Sequence, residues 1–540
     1  MAGFIDVILR GLALVCASLA LGGVAWTVLV LRAEPHAKPD RSAALSLRVV
    51  AAAALGVAAT QLALMVVALG ALADTHGSWP ARLYLETAFA RMAVLRGALG
   101  IVVAGLALTL SRRPAGVMTW RLLTGSATLT VAASALLSHA IARVDDRALL
   151  IVLDAVHQVA AAVWVGGLAH LVIYAAWARR GEIEGGMGGS VVLRPPISKT
   201  GDRGDLTQRF SRLALTSVAA LSVAGVGLTI AYVGDPAAFA GTAYGVMIVS
   251  KVILFAAALA FAAANFGLAR RAAGPGGRLG RYVEIELGLG ITVLFAAASL
   301  TSLPPAVDVR ADRATVGEVA ARFVPTMPRL VSPPAAELNR TAEPLLAPAG
   351  QRLPIERAWS EYNHHWAGFF VLLMGLGAIA ERLGARWARH WPLVFLGLAA
   401  FLFVRNDPRA WPLGPTGFWE SLTLPDVLQH RFFVVLVIVF GVFEWAVRTG
   451  RLTTRPWGYA FPLLCAVGGG LLLTHSHAMF NLKDEFLTEV THAPLGILGA
   501  FAGWARWLEL RLPEAAPRAG WLSTLCFTAV GVVLLVYREG

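Results

Sequence analysis

The sequence predicts an all-α protein, a polytopic transmembrane helical bundle. Three observations carry that prediction. Of the 540 residues, 57% are hydrophobic and only 15% charged, against about a quarter charged in an ordinary soluble domain. Mean hydropathy is +0.66. Apolar runs of about 20 residues, the length at which a helix crosses a bilayer core, recur from end to end.

Taken in order, the runs predict helices at 5–31, 45–73, 91–111, 120–142, 150–177, 209–233, 244–270, 283–303, 364–382, 390–404, 428–447, 456–474, 491–510 and 519–537, about fourteen in all. The first run is too long for a signal-peptide core and no small-residue cleavage pattern follows it, so it reads as a transmembrane helix. The formal net charge of +13 then reads as the cytoplasmic excess of Lys and Arg that orients membrane helices, not as a nucleic-acid footprint. Basic connections ("RAEPHAKPDRSAALSLR", "SRRPAGVMTWR", "RRAAGPGGRLGR", "RLGARWARH", "RTGRLTTRP") alternate with poorer ones such as Gly234 to Thr242. The rule places the basic loops in the cytoplasm and both termini on the periplasmic side. The three cysteines, Cys16, Cys465 and Cys526, lie in apolar runs without C-x-x-C spacing, which argues against a disulfide framework or a thiolate zinc site.

One boundary interrupts the pattern. From Pro304 to Asn363 the chain is polar and proline-rich, either a small cap or a largely extended connection. It separates an eight-helix unit, 1–303, from a six-helix, histidine-rich unit, 364–540, with the connection at 304–363 on the periplasmic face.

On this topology the histidines sort by side. His139, His157, His364, His365, His430, His475, His477 and His492 all fall at or just inside the external surface, and His76 lies in an external loop. His36, His170 and His390 lie elsewhere. Neutral imidazole binds Cu, Zn, Fe and Ni, and a metal site needs two to four such groups converging on a point. Helix ends on one side of a bundle provide that without burying charge in lipid. Met479, two residues past His477, offers a thioether suited to Cu(I). Asp154 lies three residues before His157 on the same helix face and can orient its ring. The plainer reading is that histidine is an interfacial hydrogen-bonder, which suffices for His76. The one-sided collection weighs against it for the rest, because ionisable groups in membrane helices are costly and default to function. The stretch "THSHAMFNLKDEFLTEVTH" reads as an external hairpin gathering His475, His477 and His492. His170, about 20 Å along its helix from His157, reads as a packing hydrogen bond.

Other intramembrane groups are weighed the same way. Lys251 must find a carboxylate, carbonyls or water, or snorkel outward. Gln61 and Asn265 read as interhelical glue. Cys16, Met65, Met374 and Cys465 read as packing sulfur. No P-loop, G-x-S-x-G or H-E-x-x-H is present, so neither a soluble-enzyme chemistry nor a built-in ATPase is indicated. The chain reads as a non-enzyme.

Three stretches together resemble the CopD copper-resistance family of bacterial inner-membrane proteins: "LLSHAIARVDDRALLIVLDAVHQVAAAVWVGGLAHLV", "RFSRLALTSVAALSVAGVGLTIAY" and "GTAYGVMIVSKVILFAAALAFAAANF". The resemblance covers roughly residues 1–303. It implies copper handling at the inner membrane, with copper accepted from the periplasm, and carries over to His139, Asp154, His157 and Lys251. The unit at 364–540 is similar to an extension found on some family members. No periplasmic copper-binding β-sandwich is recognisable, which leaves open whether a separate periplasmic copper chaperone delivers the metal. The expected partners are copper and the lipid bilayer, with no nucleic acid. Two other readings stay open: a b-type haem protein moving electrons, with His364 or His365 opposite His430 or His492, and an assembly factor giving copper to a membrane oxidase.

Overall fold

In a computed structural model, the structure describes residues 2–33, 36, 39–77, 79–186, 200–271, 278–334, 336–338, 353–408, 410–474 and 483–539. The chain is helical, and among the described residues the only β-type pairing is one isolated bridge, Ala410 to Thr416. Among the described residues, eleven helices are long and apolar enough to cross a membrane: Ile5–Val30, Arg41–Asp74, Ala88–Arg112, Arg147–Arg179, Leu206–Val233, Ala243–Gly267, Arg281–Leu300, Arg386–Arg405, His430–Arg448, Pro456–Leu473 and Ala516–Leu535. This is a multi-pass membrane fold.

Helices also occupy the three remaining expected positions, but they do not reach that length and apolarity. Val117–Ala132 tightens into 3-10 turns at Ala133–Leu137 and His139–Ala142. Pro354–Arg382 carries Glu356, Arg357 and Glu361 at one end and Glu381 and Arg382 at the other. His492–Arg511 carries Arg506, Glu509 and Arg511 in its last turns.

The described chain divides into two units. The first comprises Ala2–Gly234 and Lys251–Pro305. Its helices are α1 (Ala2–Ala25, continued as a π-helix through Val30), α2 (Arg41–His76), α3 (Ala88–Arg112), α4 (Val117–Ala132), α5 (Arg147–Gly186), α6 (Thr200–Val233), the larger part of α7 (Ala243–Arg271) and α8 (Arg278–Leu300). Helix α1 is central and packs on α2, α4, α5 and α8. Its contact with α5 depends on glycine: a Cβ on Gly166 would stand 1.8 Å from the Ser18 carbonyl oxygen. Without a hydrophobic drive between helices in lipid, such close approach is what holds them. Leu47, Val50 and Val57 of α2, Val103 and Leu110 of α3 and Leu123 of α4 fill the buried core beside it.

The second unit comprises Asp235–Ser250 and the chain from Ala306 onward. Here α9 (Val316–Arg322), α10 (Pro354–Arg382), α11 (Val394–Arg405), α12 (Pro425–Arg448), α13 (Ala460–Thr474), α14 (Lys483–Glu489), α15 (His492–Arg511) and α16 (Ala516–Leu535) follow in order. Helix α13 packs along α15, and α10 and α15 along α16. Met374, Trp391, Phe395, Leu398 and Phe461 form the core, with Phe440 stacked on Phe461 at 4.9 Å. One end is tied by a charged lattice. Arg382 makes two 2.8 Å bonds to Glu509, Arg506 reaches the same carboxylate, and Arg448 joins Glu381 and the buried Glu444. The buried Glu444 of this lattice thus has its cation, as a dry interior demands.

The described part of the proline-rich connection belongs to this unit. Thr315 and Glu318 form a capping box that starts α9. Val319 then packs with Phe486, Leu487 and Val490 around α14. Beyond α9 the chain is held by Thr326 N–H to Val536 O and by Trp366 Nε1 to Leu330 O.

Candidate metal centre

In the first unit the structure assembles four predicted residues from three elements. His139 opens a 3-10 turn whose start is capped by Ser138. Its Nε2 lies 3.3 Å from Leu300 O at the end of α8, and its ring meets the edge of Tyr232 at 6.1 Å. His157 places Nδ1 3.0 Å from Leu221 O of α6. Asp154, one turn earlier on α5, has Oδ2 buried without a hydrogen-bond partner. Lys251 of α7 acts electrostatically on both Asp154 and His157, though no direct ion pair forms among them. Arg143 lies over the Tyr232 ring at 5.6 Å. The result is a polar cluster with two imidazoles, one carboxylate and two cations at one end of the bundle.

In the second unit His364 of α10 and His492, the first residue of α15, meet edge to face at 6.0 Å. Each directs Nδ1 to a backbone carbonyl, Ser360 O at 2.9 Å and Glu489 O at 3.1 Å. With Nδ1–H as donor, Nε2 is the nitrogen that keeps the lone pair. Tyr537 stacks on His364 at 4.2 Å. His365, adjacent in sequence, is fully buried and spends both nitrogens: Nδ1 accepts from Arg329 N–H at 2.7 Å and Nε2 bonds Tyr537 O at 2.7 Å. His430 pairs with Asp407 at 2.6 Å, the carboxylate–imidazole arrangement that fixes a tautomer. His475, His477 and Met479 lie outside the described residues. Among the described residues no three His, Cys, Asp or Glu side chains converge as a metal site.

Two groups were missed by the sequence reading. Asp407 is short-range in space but remote in sequence from His430. Glu286 of α8 is 4% exposed and accepts from Trp164 Nε1 at 3.2 Å and Asn265 Nδ2 at 2.9 Å. An acid five residues inside an apolar span is itself a signal. His170, by contrast, is packed against α1 with Nε2 3.1 Å from Leu19 O.

Residues 204–300 match the family model of copper resistance protein D. This CopD segment supplies Leu221, Tyr232, Lys251 and Leu300, the side of the first unit's polar cluster that faces His139, Asp154 and His157, and it also carries Asn265 and Glu286. A copper transport protein, CutJ, of Bacillus subtilis (strain 168) is 30% identical over 178 residues. That stretch is 32% of this chain and spans 28% of the relative's length. No solved structure matches the chain.

Proposed function

We propose that this chain is a bacterial inner-membrane copper-transport protein that takes copper from the periplasm through histidines at the external ends of its helices. The observation that carries the reading is the CopD segment lying against His139, Asp154 and His157. Copper is the cargo. In the second unit, two imidazoles bound to one ion at about 2 Å from each nitrogen hold their rings at about the separation of His364 and His492. Their Nδ1–carbonyl bonds present Nε2 as the ligand atom. His475, His477 and Met479, between Thr474 and Lys483 in sequence, are the further donors the proposal uses there, and His430, oriented by Asp407, is another. His365 is a packing residue in this account. In the first unit His139 and His157 are ligands, Asp154 a charge-balancing acceptor and Lys251 a pathway cation. Lys251 repels an arriving cation until Asp154 compensates it, so it acts as an electrostatic barrier. A periplasmic chaperone delivers the metal, both termini face the periplasm, and an inside-negative potential favours entry.

The test is copper and iron analysis of protein purified in mild detergent, with His139→Ala/His157→Ala and His364→Ala/His492→Ala variants beside it. Copper near stoichiometry in the wild type and reduced by at least half in a variant is expected. Iron in place of copper, lost in the second variant, would replace this reading with b-type haem.

A further inference from the structure

Glu286 has no ion-pair partner among the described residues, whereas the similarly buried Glu444 of the second unit has Arg448. The groups facing it are accountable element by element. From α5 it meets Trp164, while Asp154 and His157 lie toward the other end and His170 turns to Leu19. From α7 it meets Asn265, with Lys251 fourteen positions earlier. On α1 the only titratable residue past Arg10 is Cys16, and Arg10 pairs with Asp6. On α8 itself Arg281 pairs with Glu284. An uncompensated carboxylate in a membrane span is costly, so a positive occupant completes the site.

Asn265 indicates which occupant. It is 7% exposed, and its Oδ1 is buried with no hydrogen-bond partner while its Nδ2 donates to Glu286 Oε2. A half-turn of the amide exchanges these two atoms. It then sets Oδ1 where Nδ2 stands, at hydrogen-bond distance from Oε2. Asn265 can therefore donate to the ionised carboxylate or accept from the acid, without any other movement. Trp164 donates to Oε1 in both states.

We propose that Glu286 is a proton-exchanging site of the first unit and that Asn265 is the positioning residue satisfying both of its protonation states. Loading forms one O–H bond at Oε2, with the proton taken from hydronium and water released, and unloading reverses this. Trp164 is two helical turns from His157 on one face of α5, about 10 Å along the axis, so the proton site and the histidine cluster line the same face. The inference uses the membrane placement and not the copper reading.

The experiment is infrared difference spectroscopy of the full chain in lipid during a pH titration without copper. The wild type is expected to show a carboxylic-acid C=O band that appears and disappears reversibly. Glu286→Gln should lose it, and Asn265→Leu should keep it at a higher frequency, with one hydrogen bond fewer. A Glu286→Gln spectrum identical to wild type overturns the proposal, as does a Glu286 band that stays constant over the whole pH range in which the fold survives. If Glu286→Gln fails to fold, an Asn265→Leu band unchanged in frequency overturns it. Because no copper is present, a negative result leaves the copper reading standing.

Discussion

His364 and His365 are neighbours in sequence with different surroundings, and the difference lies in where each nitrogen points. Successive residues of a helix are turned by about 100°, so only one of the pair can face His492. His364 does, while His365 bridges Arg329 N–H and Tyr537 O. Removing a partner from a buried polar group costs about 1–3 kcal/mol. His365→Ala should therefore lower the thermal midpoint and leave bound copper unchanged, whereas His364→Ala should lower bound copper with little change in midpoint. Both readings come from one sample by thermal unfolding and metal analysis, and equal copper loss in the two would refute the division. The sequence named both histidines because it reports residue type and depth. Rotation about the helix was legible only to the extent of the 3.6-residue period, and the tautomer not at all. Asp407 escaped for a related reason: it sits 23 residues from His430, on a separate element.

At the scale of elements, fourteen apolar runs were read from length and hydropathy, and helices stand at those positions. What hydropathy passed over was α9, a seven-residue helix in a segment read as cap or extended connection. Its signal was local: Thr315-Val316-Gly317-Glu318 is the T-x-x-E capping pattern. Glu318 also receives the Lys483 ammonium at 2.7 Å, joining α9 to α14 just after the segment that carries His475 and His477. The hydrogen bond from Lys483, then those from Thr315, hold the Glu318 carboxyl at about 2, below its ordinary 4.5. A depressed carboxylate stabilises the folded form above its ordinary value and loses that contribution as pH falls through the folded one. Protection of the α14 amides against hydrogen exchange, corrected for intrinsic rates, should hold at neutral pH and decline from about 4.5 toward 2. Lys483→Ala should flatten that dependence. An unchanged profile in the variant would show that the apolar contact of Val319 with Phe486 and Leu487 holds α14 alone.

For the whole molecule, composition alone gave the class, because no soluble fold carries apolar runs of this length and number. The partners within each unit were not legible. Membrane helices associate through small residues and scattered polar groups, so the approach of Gly166 to Ser18 or of Asn265 to Glu286 leaves no periodic trace. The polar cluster of His139, Asp154, His157 and Lys251 in the first unit draws on residues the sequence had named, whereas Glu286, bonded to Asn265, was not among them. The account built on that cluster is that this chain moves copper across the membrane. The most direct measurement is copper accumulation in sealed vesicles containing the purified chain, with an inside-negative potential imposed and a copper-responsive dye enclosed. The account predicts uptake well above that of protein-free vesicles, and at least a tenfold fall in initial rate for His139→Ala/His157→Ala. Uptake no faster than in empty vesicles, by protein shown to be folded, would contradict it.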